Sequence, residues 1–199
     1  MAPDQLHLPA LPILLPLGFV LMLISAVLLV RREMASAGRL AAAWLTGWYV
    51  VAVLGATLLP MRLSWGPGAG EPELFRLVLV PLVTMRPMDF ALNIAMTVPL
   101  AAVLYLFGIA ERRRVTLAGA LLSLGIEAVQ AVLLLTLNGT RWVEVNDLIA
   151  NTLGAWLCFV AFRRLRRAAG FRRAVRRCRF VRSDGVRAAA APGRQSPAG

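Results

Sequence analysis

The chain is poor in the residues that most often carry chemistry: two cysteines and one histidine in 199 residues. Cys158 lies in an apolar run and Cys178 in an arginine-rich tail, which argues against a disulfide framework. His7 stands alone near the N-terminus, so there is no Cys/His spacing of the metal-ligand kind. No nucleophile motif is visible, Ser123 has no histidine nearby, and nothing points to a bound cofactor. Lysine is missing altogether. All 22 basic residues are arginine, a mark of codon usage rather than of function. There is no internal repeat.

Acids are also few, and where they are missing explains the net charge of +12. From Arg163 to Gly199 there are 12 arginines and one acid, Asp184, giving that segment +11. The other 10 arginines and 9 acids leave the rest of the chain at +1. The basic charge belongs to a tail, so it does not indicate a nucleic-acid-binding surface.

What is abundant is hydrocarbon. Hydrophobic residues make up 59% of the chain and mean hydropathy is +0.70. Soluble domains are usually about 45–50% apolar. A bilayer core needs about 20 apolar residues per helix. Five stretches meet that need: Leu11–Val30, Leu40–Leu59, Asp89–Phe107, Val115–Leu137 and Val145–Phe162. The expectation is an all-α, polytopic transmembrane bundle over residues 1–162. Pro12 and Pro16 fall early in the first span, where helices tolerate proline best. Ala35-Ser36-Ala37 resembles a signal-peptide cleavage site, but the N-terminus has no basic region and the apolar run is too long.

The arginines set an orientation. Arg31, Arg32 and Arg39 follow the first span, Arg112, Arg113 and Arg114 separate the third and fourth, and the tail follows the fifth. With five spans these segments share one side. The positive-inside rule makes that side cytoplasmic and puts the N-terminus outside. The segment Pro60–Met88 is then an outer loop, with Gly66-Pro67-Gly68 as turn chemistry and an apolar piece, Leu74–Thr84, too short to span. In the tail, Leu165, Ala168, Phe171, Val175 and Cys178 recur at helical steps between arginines. This reads as a basic amphipathic helix over residues 163–182, suited to anionic inner-leaflet lipids. Residues 183–199 are rich in Ala, Pro, Gly and Ser and are expected to be disordered.

Against this apolar background several polar residues stand out, because ionisable groups at membrane depth are costly. Asp89 and Asn93 open the third span one helical turn apart. Ser123, Glu127 and Gln130 share a face of the fourth. Asn138-Gly139-Thr140-Arg141 makes a tight outer turn, and Glu144, Asp147, Asn151 and Gly154 then form one stripe of the fifth span. The spacing lets these groups converge between three helices in the outer half of the bilayer. Arg141 is the one basic residue close by in sequence and is expected to pair with a carboxylate. Glu144 and Asp147 have a structural explanation as helix N-terminal acids. Glu127, near mid-membrane, has none beyond gluing helices together. For Asn93, Gln130 and Asn151, interhelical hydrogen bonding is the expected role, and Gly154 and Ala155 read as close-packing residues. A divalent ion on Asp89, Glu144 and Asp147 is a weaker alternative, since hard cations take carboxylates.

At these residues the chain resembles the VanZ-like family. The resemblance rests on Asp89-Phe-Ala-Leu-Asn93 with Val98-Pro99-Leu100, on Ser123, Glu127 and Gln130, and on Arg141, Glu144, Asp147, Asn151 and Gly154. It covers about Asp89–Trp156. Glu144 stands where the family often has Asp, and Ala101 replaces the usual Gly after Pro-Leu. The resemblance implies a multi-pass protein of the bacterial cytoplasmic membrane. The namesake is linked to resistance to teicoplanin, a glycopeptide antibiotic, and the family's biochemical activity is poorly defined.

Three functions compete. The first is an outer-side site that binds or modifies an amphipathic envelope molecule, either a lipid-linked precursor or a glycopeptide. Arg141 would then hold an anionic group, Glu127 or Asp147 would act as acid or base, and Asp89, Asn93, Gln130, Glu144 and Asn151 would orient the ligand. The second is a proton-coupled transporter or flippase component relaying through Glu127, for which five spans without a repeat are few unless the protein oligomerises. The third is a non-catalytic scaffold whose polar cluster only assembles helices. Whether the protein is an enzyme stays open at this point.

Overall fold

The first two apolar stretches form a helical hairpin, α1 (Ala10–Arg31) and α2 (Ala37–Thr57). The computed structural model describes residues 2–82 and 86–181. Ser36 starts α2 by accepting the Arg39 N–H on its hydroxyl, an N-cap. Gly18 lets the two helices close. A Cβ there would stand 2.6 Å from the Trp48 ring, so any larger residue would have to push the indole away. The indole N–H groups of Trp44 and Trp48 are not wasted: they donate to the Met22 carbonyl and thioether at 3.2 and 3.1 Å. Much of α1 remains exposed, including Phe19, Leu23 and Val30, as a lipid-facing helix requires.

The third span is not one helix. It divides into α3 (Pro87–Met96) and α4 (Leu100–Leu106). Pro99 has no N–H to continue the ladder, and the chain tightens ahead of it, with Thr97 and Val98 donating back only three residues. The freed groups find other partners. Thr97 Oγ1 donates to the Ile94 carbonyl, and the Cys158 thiol donates to the Val98 carbonyl.

The fourth and fifth spans are α5 (Arg112–Leu137) and α6 (Val145–Leu165). Five segments are thus long and apolar enough to cross a membrane: α1, α2, α3 with α4, α5 and α6. The helix α6 is the centre of the bundle, packed on α3, α4 and α5. Small residues make this contact, as they do where helices associate without a hydrophobic driving force. A Cβ on Gly154 would overlap Thr97 Oγ1 and lie 2.9 Å from the Ile94 Cα and carbonyl oxygen. A Cβ on Gly119 would overlap that of Ala155, which is fully buried.

One end of the bundle carries short strands that sequence periodicity did not bring out. β1 (Asp4–Leu8) pairs antiparallel with β2 (Met61–Trp65), with Leu6 opposite Leu63 and Leu8 opposite Met61. Farther along, the apolar piece that begins at Leu74 makes a single 3-10 turn (Leu74–Arg76) and then β3 (Leu77–Val78), which runs parallel to β4 (Val143–Glu144). The turn after α5 ends the helix with Asn138 in the left-handed region, φ 45°, and the Gly139 N–H closing on the Leu133 carbonyl. Arg62 and Thr140 then exchange hydrogen bonds, which fixes β2 over this turn.

The arginine-rich segments meet at the other end. The Phe180 N–H donates to the Leu106 carbonyl at 2.9 Å, and Arg39 Nε donates to the Arg179 carbonyl at 2.9 Å. The amphipathic helix is α7 (Ala169–Arg177), separated from α6 by a turn; Leu165 belongs to α6, not to the tail helix expected from periodicity. Residues 183–199, expected to be disordered, lie outside the described residues.

Candidate functional site

Five segments come together at the strand-bearing end: the last turn of α2, α3, the C-terminal half of α5, the turn at Thr140–Trp142, and the start of α6. They enclose a cavity of about 460 Å³. Its lining holds Asp89, Asn93, Glu127, Gln130, Arg141, Glu144, Asp147 and Asn151, all eight residues that the sequence nominated. Ala56, Leu92, Met96 and Ile126 supply apolar wall, and Trp142 stands at the rim. Four carboxyl groups and one guanidinium are among the lining.

Each polar side chain is held by a different helix pair. Asn93 Nδ2 on α3 donates to Asp147 Oδ1 on α6 at 2.6 Å. Asn151 Nδ2 on α6 donates to Ser123 Oγ on α5 at 2.9 Å. Gln130 Nε2 on α5 donates to the Thr57 carbonyl at the end of α2, 2.7 Å away. The amides therefore do make the interhelical bonds expected of them. They also have capacity left over. Gln130 Oε1, Asn151 Oδ1 and Arg141 Nε are buried without a protein partner among the described residues, a situation worth about 1–3 kcal/mol per group when unrelieved.

Glu127 turns out to have a structural partner. It is 8% exposed, and its Oε2 accepts the backbone N–H of Glu144 at 2.8 Å. Glu144 is the N-cap of α6. In a capping box the third helical residue reaches back to that same N–H; here a carboxylate from the neighbouring helix does so. Glu144 itself makes no side-chain cap, and Asp147, though in the first turn, is engaged by Asn93 instead. The capping role expected for these two acids is thus taken by Glu127. Burial and the nearby Asp89 push the Glu144 carboxyl upward from its ordinary value, partly opposed by Arg86.

Arg141 differs from expectation. It forms no ion pair with a carboxylate among the described residues. Its Nη2 donates to the carbonyl of Leu59, just past the end of α2, where no helical N–H is available to that oxygen. Burial pulls the guanidinium down from its ordinary value, but arginine stays protonated in proteins. Asp89 sits exposed at the mouth, 3.8 Å from Arg86. With Asp89 turned outward and Asp147 engaged by Asn93, the divalent-ion alternative loses its basis: among the described residues no three acids, histidines or cysteines gather closely enough to hold a metal.

The profile of the VanZ/LLP1 family matches residues 19–166, well over half of the chain. The chain belongs to the VanZ/LLP1 family. No curated protein and no solved structure matches it. The matched region is wider than the stretch that carries the motif residues: it takes in most of α1 and all of α2. In this VanZ/LLP1 chain the end of α2 contributes to the cavity: Ala56 and Thr57 line it, and the Leu59 carbonyl just past the helix accepts from its arginine. Thr57 and Trp142 carry neither a carboxylate nor an amide and so did not stand out in the apolar runs, and Thr140 stood out only as part of a tight turn. Asn146 escaped because it lies off the polar stripe of α6. It is 2% exposed, and its Oδ1 accepts the Leu82 N–H at 2.8 Å, tying the segment between β3 and α3 to the first turn of α6.

Proposed function

We propose that this VanZ/LLP1-family membrane protein binds an amphipathic envelope molecule in the cavity, on the extracytoplasmic side of a bacterial cytoplasmic membrane. The ligand class is a lipid-linked precursor or a glycopeptide of the teicoplanin type. The observation that carries the reading is the convergence of eight polar residues, from four separate parts of the chain, on one cavity at the end opposite the arginine-rich segments. Carboxylates and amides are suited to hydroxyl, amine and amide groups of a headgroup or glycopeptide. The apolar wall formed by Leu92, Met96 and Ile126 suits the lipid-like part. Asp147 and Glu127 are the candidates for acid or base work, and Arg141 for an anionic group.

The test is a deletion strain profiled for envelope lipids and antibiotic susceptibility, then complemented with wild type, Asp147→Asn or Glu127→Gln. Loss of complementation by well-inserted Asp147→Asn supports the reading. Full complementation by both variants removes the acid or base role. A second reading, a scaffold without ligand, is favoured by one observation: Glu127, Gln130, Asn151 and Asn93 all bond between segments. It fails if either conservative variant abolishes function while the protein stays folded.

A further inference from the structure

At the arginine end, two guanidinium groups converge on one aromatic ring. The Arg166 guanidinium carbon lies 4.1 Å from the centroid of Tyr105, and that of Arg179 lies 5.1 Å from it. Tyr105 is buried and is clamped against Phe162 at 5.4 Å between ring centroids. Arg166 comes from the end of α6, and Arg179 arrives from beyond α7, brought there by the Phe180–Leu106 hydrogen bond. A third arginine, Arg163, joins Arg166 in lining an adjacent cavity of about 210 Å³, whose floor is Tyr105, Val115 and Phe162.

Like charges brought together at a bundle end repel unless an anion lies between them. The protein does not supply one among the described residues. Among the described residues the ion pairs are Arg76–Glu73 and Arg86–Asp89 at the opposite end and Arg114–Glu111 at the start of α5, none of which involves these arginines. Nε of Arg166 and Nε of Arg179 are both buried without a partner among the described residues. Guanidinium forks without carboxylates, over an apolar floor, at the C-terminal end of a helix long and apolar enough to span a membrane, match the chemistry of a phosphate ester. The geometry points to a discrete phosphate-binding site formed by Arg166, Arg179 and Arg163 on the Tyr105 platform, separate from the polar cavity at the opposite end. It is also separate from the exposed arginines of α7, which offer only diffuse attraction to an anionic surface. The phosphate is that of an anionic phospholipid headgroup or of a soluble phosphate compound.

The experiment uses the purified full chain in neutral detergent, titrated with phosphatidylglycerol or phosphatidylcholine, and counts bound lipid by native mass spectrometry. Phosphatidylglycerol is expected to bind stoichiometrically, and Arg166→Gln with Arg179→Gln to weaken it by roughly tenfold or more, since two charge-assisted contacts are lost. Replacing Arg172, Arg173, Arg176 and Arg177 by Gln should leave that binding largely intact. The opposite pattern, loss with the α7 variant and none with the pair, overturns the proposal. If the double variant does not insert, Arg179→Gln alone carries the comparison, and binding equal to wild type overturns it. Inorganic phosphate is the second arm: displacement of the lipid assigns the site to soluble phosphates as well, and persistence of the lipid assigns it to the headgroup.

Discussion

Removing the Glu127 side chain separates two contributions that the structure joins, its hydrogen bond and its charge. Oε2 accepts the Glu144 N–H at 2.8 Å where α6 begins. Glu127→Ala leaves that donor unmatched, at about 1–3 kcal/mol, and vacates the volume of a buried side chain, adding about 1 kcal/mol. Glu127→Gln keeps an amide oxygen of nearly the same reach, so its cost stays below about 1 kcal/mol. For a domain of this size 1 kcal/mol moves the melting temperature by about 2–4 °C. In one detergent, at one pH, the Ala variant should therefore melt about 4–16 °C below wild type and the Gln variant within about 4 °C of it. Intrinsic tryptophan fluorescence or circular dichroism reads the transition. Equal losses in the two variants would refute the reasoning, because the bond to α6 would then not be what Glu127 contributes.

The packing of α5 on α6 predicts a compensating pair. Gly119→Ala places a Cβ on that of Ala155 and should cost about 1–3 kcal/mol; adding Ala155→Gly should recover a large part of it, and a strictly additive double-mutant cycle contradicts the contact. Glu144 predicts a pH dependence. Its carboxyl is raised in the folded protein by burial and by Asp89, so the folded state holds a proton that the unfolded chain releases. Its contribution to stability is present below the unfolded value and is lost as pH rises through the folded one. Glu144→Gln should flatten that decline, and an unchanged slope in melting temperature against pH counts against it. The orientation predicts that, with Cys178 replaced by Ser, a cysteine at Glu71 is labelled by an impermeant reagent from outside and one at Glu111 is not; the reverse pattern inverts the topology.

The helical core was readable from the sequence because lipid solvation makes a strong, long signal: a run of about 20 apolar residues admits few other structures. The break between α3 and α4 was harder, since Pro99 within a span only bends the ladder if neighbours take up the freed groups, and here Thr97 and Cys158 do so. The strands were visible only as weak alternation. Asp4-Gln5-Leu6-His7-Leu8 and Met61-Arg62-Leu63-Ser64-Trp65 both alternate, but their pairing crosses the whole α1–α2 hairpin. The eight polar residues that line the cavity stood out in the sequence because carboxylates and amides are expensive in an apolar run. Their partners did not: Arg141 bonds a main-chain carbonyl and Glu127 a main-chain N–H, and backbone groups leave no mark in a sequence.

The most direct test of the central claim is equilibrium binding of a teicoplanin-type glycopeptide and of an undecaprenyl-linked precursor to the purified full chain in lipid nanodiscs. Wild type should bind one of them saturably. Asp147→Asn, which removes a carboxylate from the cavity while Asn93 can still donate to its amide oxygen, should weaken that binding with melting temperature unchanged. Saturable binding that is the same in wild type and Asp147→Asn, or no saturable binding of either ligand by a folded wild-type protein, contradicts the account.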